Sequence, residues 1–141
     1  MSDFVLDKKL AEDTFELGCL NGQLLLLMNN ALVPWFILVP ITSKTEICEL
    51  DERDQTILYR NINLLSQHVL QQFDVSKINI GAIGNVVKQL HVHIIGRNEN
   101  DYCWPDVVWG RQEREQYSEN QVNTIIDDLV YGAGDNFMIG Y

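Results

Sequence analysis

Apolar residues along this chain fall into two patterns. In some stretches they are continuous over five or six positions, and in others they recur every three or four. QLLLLM at 23–28 and WFILV at 35–39 are continuous runs of strand length. The turn-like NNALVP joins them, and Pro34 and Pro40 bracket the second. From residue 51 the pattern changes. Ile57, Leu58, Ile62, Leu65, Val69 and Leu70 follow helical spacing, with Asp51 placed to cap a long helix ending near Phe73. Residues 7–17 read as a short amphipathic helix with Leu10, Thr14 and Leu17 on one side and Gly18 at its end. Strands are expected at 77–83 and 88–96, separated by a loop with Gly84 and Asn85. Ser118 starts a last helix that buries Val122, Ile125, Ile126 and Leu129 and closes at Gly132. The tail NFMIGY reads equally as a strand seeking a partner or as a loose end. Strand pairs interrupted by helices predict an α+β domain: an antiparallel sheet of about five strands with one long and two shorter helices.

Composition narrows what this domain can meet. At 141 residues the chain is long enough for one domain with a real core, and nothing resembles an internal repeat or a linker. A net charge of −10 with no basic cluster argues against nucleic acid or an anionic membrane as partner. The first eighteen residues lack signal-peptide character, and LLLLM at 24–28 is too short to cross a bilayer. Cys19, Cys48 and Cys103 are odd in number and form no CxxC pair, which suggests free thiols and a cytoplasmic protein.

The chemistry concentrates in QLHVHIIGR, residues 89–97, which holds two of the three histidines. In a strand, side chains alternate between faces, so Gln89, His91, His93 and Arg97 share one face while Leu90, Val92 and Ile94 bury the other. Same-face neighbours on a strand lie about 6–7 Å apart, so both imidazoles reach one phosphate-sized group. Three readings fit these residues. The histidines face solvent on a half-exposed strand; or they begin a zinc site, with Asp101 or Cys103 as the nearest third ligand; or one imidazole is a nucleophile and the other holds phosphoryl oxygens. His68, in the long helix, is expected to face water, and Lys88, of the opposite parity, to be solvated.

QLHVHII resembles the histidine triad motif, in which three histidines alternate with apolar residues. The second and third positions match His91 and His93, and the first is Gln89. NIGAIGN at 79–85 resembles the glycine-containing approach to the triad, LLMNNALVPWFILVP at 26–40 the family's nucleotide-binding hairpin, and WPDVVWG at 104–110 a tail of a bacterial branch close to dinucleoside polyphosphate hydrolases. The resemblance covers most of residues 4–110. It implies a HIT-like domain over residues 1–110; residues 111–141 lie outside the resemblance and, from their helical spacing, are read as a C-terminal helical extension of the same domain. It further implies a hydrolase of nucleotide phosphoanhydrides or phosphoramidates, often homodimeric, that forms a covalent nucleotidyl-histidine. The alternative is a nucleotide- or metal-binding module without turnover.

On that resemblance the catalytic candidates are His91 as nucleophile, His93 on the phosphate oxygens or leaving group, and Gln89 as a donor that cannot carry a proton. Asn30 falls where the family often has an aspartate for the ribose hydroxyls. Asn79, Gly84 and Asn85 are candidate phosphate contacts, although both asparagines also suit plain turns. Trp104 and Trp109 either cover the site or pack. The residues call for no metal or other cofactor, since no carboxylate cluster for magnesium is visible. A nucleotide substrate and a second copy of the chain are the expected partners.

Overall fold

The structure, a computed structural model, describes residues 3–140. Its centre is a six-stranded antiparallel sheet in the order β4-β5-β3-β2-β1-β6. The strands are β1 (Thr14–Leu20), β2 (Gln23–Met28), β3 (Trp35–Val39), β4 (Lys77–Gly81), β5 (Val92–Arg97) and β6 (Phe137–Ile139). The helices are α1 (Lys8–Asp13), α2 (Glu52–Gln72) and α3 (Glu119–Ala133). The α+β architecture, the long capped helix and both central strands are as the sequence predicts.

Why β2 and β3 are apolar throughout is visible in the layering. On one face Leu25, Leu27, Phe36, Leu38, Val92 and Ile94 pack against Leu58, Leu65 and Val69 of α2 and Val122, Ile125 and Leu129 of α3. On the other, Leu24, Leu26, Met28, Trp35, Ile37, Val39 and Ile95 meet Leu10 of α1 together with Cys103 and Val108. A sheet covered on both faces needs apolar residues at both parities.

Several boundaries differ from the expectation. The helix expected over 7–17 stops at Asp13, and Thr14–Leu20 is β1. Asp7 caps α1 by accepting from the Lys9 and Leu10 amides, and the Thr14 hydroxyl donates to the Leu10 carbonyl at its end. Beyond that point pairing with β2 outweighs helical spacing, because Phe15, Leu17 and Leu20 gain a sheet core. Gly18 therefore does not end a helix. It admits β6, since a Cβ there would collide with the Met138 carbonyl oxygen. The tail thus supplies a sixth strand, paired to β1; Tyr141, its last residue, lies outside the described residues.

The last helix runs past Gly132 to Ala133, with Gly134 as its cap at φ +56°. Gly132 lies against the His68 ring, where a Cβ would come within 2.9 Å of Nδ1. His68 is accordingly buried, not solvated, because α2 touches α3 as well as the sheet. Asn61, two turns earlier on α2, is buried too, donating to the Leu20 carbonyl and the Gln23 side chain. Leu70, expected on the buried stripe, is exposed.

Candidate active site

β5 begins at Val92, so residues 82–91 approach the sheet as an irregular segment. Its alternation still holds for the apolar set: Leu90, Val92 and Ile94 face α2 and α3. The opposite face is not the open polar row expected. His91, His93 and Arg97 are all buried, Ile95 lies among them, and the segment 102–109 packs over that side of the sheet.

The two imidazoles lie side by side, with ring centroids 4.9 Å apart and planes at 70°. Their protons follow from their partners. His91 Nδ1 is 2.7 Å from the Gln89 carbonyl oxygen. A carbonyl only accepts, so in neutral His91 Nδ1 carries the hydrogen and Nε2 keeps the lone pair. His93 Nδ1 is 2.9 Å from Trp35 Nε1 in the core. Indole only donates, so His93 Nδ1 accepts and its hydrogen lies on Nε2. His91 therefore keeps a bare Nε2 and lines a cleft, whereas His93 carries its hydrogen on Nε2 and is not part of that lining. Burial, and secondarily the charge of His91, push His93 down to about 4, so it stays neutral near pH 7.

Tryptophans hold His93 from two directions. Trp35 packs edge-on at 5.8 Å and Trp109 at 5.6 Å. Trp109 reaches the ring because residue 81, the β4 partner of His93, is glycine; a Cβ there would come within 3.0 Å of the indole. Trp109 thus packs directly on the site, while Trp104 is partly exposed with the Arg97 guanidinium 5.6 Å from its ring.

His91 lines a cleft of about 400 Å³. One wall is Thr45, Glu46, Ile47 and Cys48, another is Ala82, Ile83 and Gly84, and the floor runs from Lys88 to His91. Gly84 takes φ +66°, a conformation that favours glycine. Lys88 belongs to this cleft, contrary to the parity argument, because residues 88–91 are not a strand. Trp35 was also missed. An indole in a wholly buried strand needs a partner for its N–H, and that requirement is the available signal.

The remaining candidates lie elsewhere or are already engaged. Gln89 reaches the cleft, but its amide accepts from the Asp7 N–H at 2.7 Å and donates to the Val5 carbonyl at 2.9 Å. Asn30 is buried outside the cleft lining. Its Oδ1 accepts from the Leu32 and Glu115 amides and its Nδ2 donates to the Glu113 carbonyl, fastening residues 113–115 to the β2–β3 hairpin. Asn79 accepts from Arg97 Nη1 at 3.0 Å. Asn85 is exposed beside Gly84.

Arg97 itself forms a buried fork on Asp101, with Nε and Nη2 at 2.7 and 3.0 Å from the carboxylate oxygens. Burial alone would raise the Asp101 carboxyl, but hydrogen bonds from Arg97 and the Cys103 amide hold it below its usual value. This engagement separates Asp101 from the histidines. Among the described residues, no three of His, Cys, Asp and Glu come together to hold a metal ion, and no helix is long and apolar enough to cross a membrane.

Comparison with known proteins agrees with this geometry. Residues 12–100 match the family model of the HIT domain. A crystal structure of a histidine triad protein from Sinorhizobium meliloti is similar at 38% identity and a TM-score of 0.89, covering 94% of this chain and 98% of the other. One from Bradyrhizobium japonicum gives 36% and 0.87 over 92% and 97%. One from Marinobacter aquaeolei gives 40% and 0.85 over 89% and 93%. No curated protein matches. A matched domain centred on paired histidines, with relatives alike over nearly their whole length, leads to one conclusion: the chain belongs to the HIT family.

Proposed function

We propose that this protein is a nucleotide hydrolase that works through a covalent nucleotidyl-histidine on His91, with dinucleoside polyphosphates or related phosphoanhydrides as substrates. The observation that carries this is the tautomer of His91: Nδ1 held by the Gln89 carbonyl, Nε2 left with its lone pair, and the ring lining a cleft. A nucleotide ligand accords with the HIT family to which the chain belongs.

Attack by Nε2 on an α-phosphorus forms an N–P bond as the bond to the leaving group breaks. The positive charge that develops on the ring is stabilised by the Gln89 carbonyl already bonded to Nδ1–H. His93 Nε2–H is the natural donor to a non-bridging phosphate oxygen. Water then attacks phosphorus, and neutral imidazole departs, dividing one difficult displacement into two easier ones. A phosphate leaving group departs as a stable anion, whereas an amine must first gain a proton, which the Gln89 amide cannot supply. The anhydride is therefore favoured over the phosphoramidate.

The same reading takes the protein as a cytoplasmic homodimer. The free cysteines suit a reducing compartment, and the exposed Ile80 and Ile83 on and beside edge strand β4 suit a second copy. The test of function is hydrolysis of a dinucleoside polyphosphate in ¹⁸O-water by the parent and by His91→Gln. The reading expects one solvent oxygen in the released monophosphate and at least about a thousandfold loss in the variant. Tight nucleotide binding without turnover would favour the binding-module alternative.

A further inference from the structure

Gln89 occupies the position of the triad's first histidine, yet its side chain is turned toward the N-terminal segment. Both ends of this residue are committed. Its main-chain carbonyl accepts from His91 Nδ1, and its side-chain amide grips residues 5 and 7 through one accepted and one donated bond. Residues 5–7 are a firm anchor. Asp7 caps α1, Leu10 of that helix is buried, and Phe4 and Leu6 pack on the second core. The 82–91 segment has no sheet pairing, since β5 starts only at Val92. Leu90 and Val87 pack on the two cores, while Val86 is exposed.

We propose that Gln89 is a positioning residue: its amide clamps residues 5–7 so that its own carbonyl holds His91 in the Nδ1–H tautomer, with Nε2 free. The inference rests on the reading of His91 as the nucleophile. It explains why an amide stands here. A carboxamide places an acceptor and a donor side by side on one carbon, matching a carbonyl and an amide two residues apart, whereas the two nitrogens of an imidazole diverge. Gln89 then acts equally on every substrate, because it sets the nucleophile and leaves the departing group alone.

The test pairs Gln89→Met, which keeps length and removes both bonds, with Gln89→Glu, which keeps the acceptor for the Asp7 N–H but cannot donate to the Val5 carbonyl when ionised. Circular dichroism checks that each folds. ¹⁵N NMR of the imidazoles reads the tautomer directly. The parent is expected to show His91 only as Nδ1–H, the Met variant a mixture of both forms, and the Glu variant a smaller change. The rate constant for enzyme nucleotidylation should fall by about tenfold in the Met variant, the scale of one lost hydrogen bond, with KM within twofold. That loss should be the same for leaving groups of low and high pKa. An unchanged tautomer in Gln89→Met overturns the proposal, and so does a rate loss confined to poor leaving groups, which would assign the amide to the departing group. If the parent forms no nucleotidyl adduct, the proposed function fails, while the tautomer comparison still decides the role of Gln89.

Discussion

Acidification tests the buried state of His93 without any substrate. In the unfolded chain its imidazole binds a proton near pH 6.5, whereas in the folded protein it does so only near 4. Between those values the unfolded state takes up a proton that the native state refuses, so stability is full above about pH 6.5 and falls as the pH drops toward 4. With those two pKa values, the linkage relation gives a loss of about 2 kcal/mol at pH 5 and about 3 kcal/mol once both states are protonated. Burial lowers His68 as well, despite the opposing charge of Asp128, so it contributes with the same sign. The Asp101 carboxyl, held low by Arg97, titrates below this window. Urea unfolding followed by tryptophan fluorescence at pH 7, 6 and 5 measures the effect. His93→Asn is the control, because an amide oxygen can still accept the Trp35 N–H but nothing titrates. The variant should lose most of the slope and keep a remainder from His68. A parent whose stability changes by less than about 0.5 kcal/mol from pH 7 to pH 5, or a variant with the parent's full slope, refutes the reasoning.

Two substitutions probe the scaffold around the site. Arg97→Met strands the Asp101 carboxylate in the interior and should cost about 3–5 kcal/mol in chemical denaturation, with a loss under about 1 contradicting the buried fork. Asn30→Ala removes three hydrogen bonds to residues 32, 113 and 115 and should cost about 1–3 kcal/mol while nucleotide affinity stays within twofold. Weakened nucleotide binding at unchanged stability would instead return Asn30 to the ribose.

The sequence revealed most where a pattern served one purpose. The continuous runs at 23–28 and 35–39 have strand length and are buried strands, and the apolar stripe after Asp51 is a long helix. Reading failed where long-range contacts outweighed local pattern. Residues 14–17 carry helical spacing, but their pairing with β2 is invisible until the two strands meet. His68 looked solvated because the packing of α3 on α2 joins segments some sixty residues apart. At the site, alternation placed the two imidazoles side by side and the apolar set against the helices, but assumed that the strand began before Val92. That error left Lys88 out and gave Gln89 a free side chain. The partners that fix both tautomers, a main-chain carbonyl and an indole from another strand, carry little motif signature.

The most direct test of the central claim is intact-protein mass spectrometry after rapid mixing with a nucleotide anhydride, comparing the parent, His91→Gln and His93→Asn. The account predicts an acid-labile, base-stable gain of one nucleoside monophosphate on the parent. The adduct should form more slowly, but still on residue 91, in His93→Asn, and be absent from His91→Gln. A full-strength adduct in His91→Gln, or one mapped to His93, would contradict it.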